Sequence, residues 1–133
     1  MILYADGGSR GNPGPAASGA YLTDSEDNPV ARVYKYIGET TNNVAEYSSL
    51  IFGLKEAIRR GAKSILIRMD SQLVVRQIEG KYRVKEPTLQ KLHAQAMELL
   101  KNFQKFDLEH IPREQNDEAD RLVNLALDQE LEK

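Results

Sequence analysis

The apolar residues of this chain change their spacing near residue 40, and that change restricts the folds open to it. Before it, β-rich runs follow one another: "ILYAD" (2–6), "SGAYLTD" (18–24) and "VARVYKYIG" (30–38). The last alternates in the way a half-exposed strand does. "SEDNP", between the second and third, is a turn of Ser, Asx and Pro. Residues 7–17, rich in Gly, Ser, Asn and Pro, read as a loop. Strands joined by short turns suggest an antiparallel meander. After the change, Tyr47, Leu50, Ile51, Leu54 and Ile58 recur at i, i+3, i+4, i+7 and i+11, one face of a helix. Gly61 is a natural C-cap for it. "SILIRMD" (64–70) reads as a fourth strand, apolar enough to be buried on both faces. "SQLVVRQIEG" (71–80) reads as a short helix. Pro87 opens another, running to about Phe103 with Leu89, Leu92, Ala96, Leu99 and Leu100 inward. "FDLEHI" (106–111) is a fifth strand, and "NDEADRLVNLALDQELE" (116–132) a last helix with Asn116 as N-cap. The order βββαβααβα predicts an α/β fold, a mixed sheet flanked by helices, in one domain spanning residues 1–133.

Bulk properties set the outer bounds. At 133 residues, with 41% hydrophobic and 29% charged residues, the chain suits a single globular domain with a real core. It has no apolar run of about 18 residues, so no membrane partner is expected. It has no basic stretch followed by an apolar one at its start, as a secretory signal requires. With no cysteine there is neither a disulfide framework nor a thiolate metal site. A cytoplasmic location is the expectation. The formal net charge of −2 argues mildly against a polyanionic partner, but the distribution is polarised. Arg76, Lys81, Arg83, Lys85 and Lys91 face only Glu79 and Glu86 in their segment, and the segment from Asp107 onward is strongly acidic.

Acids recur where elements begin or end. Asp6 and Asp70 each end a strand, and parallel neighbours would bring them to one sheet edge, where α/β sheets gather ligands. Glu46 lies in the first turns of the first long helix, bordering its buried face. Asp120 lies in the first turn of the last helix beside Ala119, Leu122, Val123 and Ala126. Singly, each is an ordinary turn residue or an acid favoured by a helix dipole. Brought together, they would repel one another unless cations intervened. An all-oxygen cluster selects a hard metal such as Mg²⁺ or Mn²⁺, and two such ions serve phosphodiester hydrolysis.

Four stretches, "YADGGSRGNPGPAASGAY", "TTNNVAEYSSLIFGLKEA", "IRMDSQLVVRQIEGKY" and "IPREQNDEADRLVNLAL", together resemble type 1 ribonuclease H in order and spacing over nearly the whole chain. The resemblance implies a ribonuclease H-like fold: a five-stranded mixed sheet, three strands antiparallel plus two parallel. It implies an endonuclease that cuts the RNA strand of an RNA–DNA hybrid duplex with two divalent ions, leaving 5′-phosphate and 3′-hydroxyl ends. The metal ligands would be Asp6, Glu46, Asp70 and Asp120, which selects Asp120 over Asp117 and Glu118. Gly8, Ser9, Asn12, Asn43 and Gln72 would touch the RNA strand and its 2′-hydroxyls. Thr41 and Asn42 would grip a DNA-strand phosphate, a role compatible with capping the helix they open.

The chain departs from the family pattern in two places. Many members carry a histidine in the loop before the last helix. Here that loop is "IPREQN", with Arg113 in it as in a short archaeal and bacterial branch. Arg113 would bind a phosphate or stabilise developing charge; the plainer alternative is a surface ion pair with Glu114 or Glu118. His110 falls inside the fifth strand and His93 on the long helix, and both read as structural. Some members also insert a basic helix where this chain has "EGKYRVKEP", leaving Lys81, Arg83 and Lys85 for the DNA backbone and double-stranded RNA open as a second substrate. A monomer is expected. The competing reading is a catalytically silent hybrid-binding module of the same fold.

Overall fold

The structure is a computed structural model describing residues 1–133. A central sheet holds β1 (Ile2–Ser9), β2 (Gly14–Thr23), β3 (Pro29–Thr40), β4 (Ser64–Met69) and β5 (Lys105–His110), in the order β3-β2-β1-β4-β5. β1 runs antiparallel to β2, and β2 to β3, while β1–β4 and β4–β5 are parallel. The mixed sheet is therefore as expected. Its helices are α1 (Asn42–Arg59), α2 (Gln72–Ile78), α3 (Pro87–Leu100) and α4 (Asp117–Leu131), with a single 3₁₀ turn, Arg113–Gln115, before the last.

One face of the sheet carries the main core. Leu3, Ala5, Leu22, Ile65, Ile67 and Met69 pack there against Tyr47, Leu50 and Leu54 of α1 and Leu89, Ala96 and Leu100 of α3. The Tyr47 hydroxyl donates to Gln77 Oε1 at 2.6 Å, so a buried polar pair ties α1 to α2 without an orphaned group. α4 covers the opposite face over β2, β3 and β1 with a smaller apolar patch of Ala17, Val123, Ala126 and Leu127.

Three expectations need correction. Residues 7–17 are mostly strand: Gly7, Gly8 and Ser9 pair with Ser18, Ala17 and Ala16, and only residues 10–13 turn. Glycine and small residues hid this, because they carry no apolar alternation. β4 is buried on one face only, with Ile65, Ile67 and Met69 inward and Leu66 and Arg68 half-exposed, because α4 does not reach across to it. α3 stops at Leu100, short of Phe103, in a pair of turns after Lys101. Gly61 sits just past the C-cap Arg60 of α1 at φ +78°, the left-handed position that favours glycine.

Candidate active site

The site forms where the parallel ladder stops. β1 and β4 pair last at Ala5 and Met69, and the next residue on each strand is Asp6 and Asp70. β1 continues past this point only by pairing with β2, so the two acids flank the opening between parallel strands. Two close approaches bring helices to them. A Cβ on Gly7 would lie 2.1 Å from the Ala45 carbonyl carbon, so β1 touches the first turn of α1 and sets Glu46 beside Asp6. Ser18 holds this approach, donating to the Ala45 carbonyl at 2.7 Å. On the other face Gly19 is the cross-strand partner of Asp6, and a Cβ there would lie 2.6 Å from the Ala119 carbonyl oxygen. The first turn of α4 closes over that gap and delivers Asp120.

All four acids line one open cavity of about 480 Å³, together with Gly7, Gly8, Ser9, Arg10, Asn42, Arg113 and Asn124. Burial pushes the Asp6 carboxyl far above the usual carboxylate range, and the charges of Asp70, Asp120 and Glu46 push it further. Burial likewise raises Glu46 to about 7; a hydrogen bond from Ser71 partly offsets this, and the nearby Asp70 adds to it. No group of three acids is drawn as close as a metal-ligand set. The donor set is nevertheless all carboxylate oxygen, and a like-charged oxygen cluster of this kind fits a hard divalent cation.

Neighbouring residues fix the acids' surroundings. Asn42 Oδ1 accepts from both the main-chain N–H and the hydroxyl of Ser9, at 2.8 and 3.1 Å, while its own N–H donates to Asn12 Oδ1 at 3.0 Å. The β1–β2 turn is thereby fastened to the start of α1. Thr41 caps that helix, accepting from Val44 N–H at 3.3 Å. Arg113 lies 3.8 Å from Asp120 rather than pairing with Glu114 or Glu118. Glu118 is turned away, bonded to Arg32 and Arg121, which hold its carboxyl down at about 2.

Of the residues singled out in the sequence, Gly8, Ser9, Asn42 and Arg113 line the cavity with the four acids. Asn12 joins through Asn42 and Thr41 through its cap. Half-buried Asn43 and exposed Gln72, at the starts of α1 and α2, lie outside the cavity wall. Lys81, Arg83 and Lys85 are exposed on the connection to α3, also outside it. His110 Nε2 lies 3.3 Å from the Asp70 carbonyl oxygen, and half-buried His93 stands edge-on to Tyr47. Neither lines the cavity.

Sequence reasoning missed the part played by Asn116. It stands at the N-cap of α4 as expected, but its side chain makes no capping bond. Its amide instead donates to the Ala5 carbonyl at 2.9 Å and, at a longer 3.4 Å, to Asp70 Oδ1. It bridges the split between β1 and β4 directly behind the acids. Arg10, on the cavity rim, was also passed over, since an exposed arginine in a turn carries no signal of its own.

The reverse transcriptase-like family matches residues 4–126. Ribonuclease HI of Halobacterium salinarum is 45% identical over 125 residues, covering 94% of this chain and 63% of that protein. This chain belongs to the type 1 ribonuclease H family. The ribonuclease H fold is matched throughout by LC11-RNase H1, solved in complex with an RNA/DNA hybrid, at TM-score 0.93 and 47% identity, covering 98% of both chains. The bifunctional protein Rv2228c of Mycobacterium tuberculosis is 47% identical over 129 residues, which is 96% of this chain but 35% of that protein. This ribonuclease H chain thus spans about a third of that relative. No helix in it is long and apolar enough to cross a membrane.

Proposed function

We propose that this domain hydrolyses the RNA strand of RNA–DNA hybrids, leaving 5′-phosphate and 3′-hydroxyl ends. The observation that carries the reading is the convergence of Asp6, Glu46, Asp70 and Asp120 on one cavity, where burial and neighbouring charge disfavour the ionisation of Asp6 and Glu46. A binding module has no use for four mutually repelling acids facing a polyanion. These residues would hold two ions, Mg²⁺ or Mn²⁺, with Asp6 and Asp70 common to both. Held there, such ions would supply an activated water and charge neutralisation at the leaving oxygen. The protein's own contribution is position. Asn42, pinned to Ser9, sets the approach of the β1–β2 turn, whose glycines admit a sugar edge where RNA is told from DNA. Arg113, beside Asp120, supplies positive charge at the reacting phosphate.

The test is cleavage of a labelled RNA–DNA hybrid by the wild type and Asp70→Asn, with Mg²⁺, with Mn²⁺ and with chelator, beside single-stranded RNA, double-stranded RNA and DNA duplex. Metal-dependent cutting of the hybrid's RNA strand, lost in Asp70→Asn, is the expected result. Hybrid binding without cleavage in every condition would make the domain a silent binding module.

A further inference from the structure

Two arginines reach the cavity, and only Arg113 stands beside an acid of the cluster. Arg10 lies elsewhere on the rim. Its guanidinium donates to Asp128 Oδ1 at 2.7 Å and makes a long 3.4 Å contact to Asn124 Oδ1. Asp120, Asn124 and Asp128 follow at four-residue intervals on α4, so they lie on one face of that helix. Four residues of helix span about 6 Å, and Arg10 reaches no residue of α4 nearer Asp120 than Asn124. Arg10 therefore stands about one turn beyond the bond beside Asp120, within reach of a phosphate farther along the same strand. Its backbone is held ready for this. Arg10 N–H donates to the Pro15 carbonyl at 2.8 Å, and the residue before it is fastened to Asn42. Its side chain is 42% exposed and that of Asp128 52%, so the pair is open to a strand lying in the cavity.

We propose that Arg10 binds a backbone phosphate of the cleaved strand flanking the reacting one, and that Asp128 competes with that phosphate for the guanidinium. The assignment rests on the nuclease reading above. A phosphate presented by a polymer is the fitting ligand, because a small free anion would meet four carboxylates with only Arg10 and Arg113 to offset them, whereas a strand is also held at points outside the cavity. An exposed ion pair such as Arg10–Asp128 is weak, whereas a bond from a guanidinium to a phosphate is strong and geometrically matched. The exchange therefore favours the strand.

The experiment compares wild type, Arg10→Ala, Asp128→Ala and the double variant. It follows cleavage of a labelled RNA–DNA hybrid over a range of salt, and binding of the same hybrid in chelator by fluorescence anisotropy. Arg10→Ala should raise KM and Kd roughly fivefold to tenfold with kcat nearly unchanged, and lower the salt slope by about 1. Asp128→Ala should tighten binding roughly twofold to threefold, and this gain should vanish in the Arg10→Ala background. Arg10→Lys should recover part of the loss. Unchanged KM and Kd in Arg10→Ala would overturn the assignment, as would an Asp128→Ala gain that survives without Arg10, since that would be a general charge effect. If the wild type cleaves nothing, the nuclease reading fails, and the binding arm still decides the role of Arg10.

Discussion

The side chain of Asn116 serves the cleft rather than the helix it opens. It is 1% exposed, and its Oδ1 has no hydrogen-bond partner, so its place is set by what its amide holds. Removing that amide in Asn116→Ala leaves the buried Ala5 carbonyl unpaired, at a cost of about 1–3 kcal/mol in denaturant unfolding. Because the same amide touches Asp70, kcat on the hybrid should fall about 10- to 100-fold in the variant if Asp70 holds metal as proposed, the loss typical of a group that orients a ligand. Unchanged kcat would show that Asp70 is held without it. A capping asparagine and a clamping one look alike in sequence, so Asn116 was legible only as a cap. The acids differ in this respect. Each was visible as an acid at an element end, but the choice of Asp120 over Glu118 came from family resemblance. In the structure Asp120 lines the cavity, while Arg32 and Arg121 engage Glu118.

At the scale of elements, the site depends on backbone contacts that only glycine permits. Gly7 against Ala45 and Gly19 against Ala119 let the first turns of α1 and α4 close on β1 and β2 from opposite faces. Gly7→Ala would drive a methyl into main-chain atoms that cannot rotate away. The expected loss is about 3 kcal/mol of stability, with hybrid cleavage falling as Glu46 is displaced; denaturant unfolding and single-turnover rates check both. Wild-type stability would show that α1 can shift freely. The order and type of the elements were readable because hydrophobic period records which face is buried. The length of β1 and the turn before β2 were not, because Gly7, Gly8 and Ser9 have no side chain large enough to show a period. Nor could the one-sided burial of β4 be read, since it depends on where α4 ends up packing.

For the whole molecule, the acid cluster links stability to pH and to metal. Asp6 and Glu46 bind protons more tightly in the folded chain than in the unfolded one, the shift for Glu46 being from 4.5 to about 7. A carboxyl raised in this way contributes its stability below the unfolded pKa and loses it as pH rises through the folded value. For Glu46 the loss is roughly 3 kcal/mol between about pH 4.5 and 7, and Asp6 extends it upward. Glu118, held at about 2, acts with the opposite sign, but its contribution is complete above the unfolded value of 4.5 and does not change from there upward. Between about pH 5 and 8 the chelated protein should therefore become less stable as pH rises. A divalent ion held by these carboxylates would favour their ionised form, so its stabilisation should grow over the same range, reaching about 2.7 kcal/mol at a hundredfold excess over Kd. Thermal unfolding at both ends of that range, with chelator and with Mg²⁺ or Mn²⁺, reads both slopes. A flat profile in chelator would mean that Asp6 and Glu46 ionise as readily in the folded chain as in the unfolded one, and the case for a crowded metal site would fall with it.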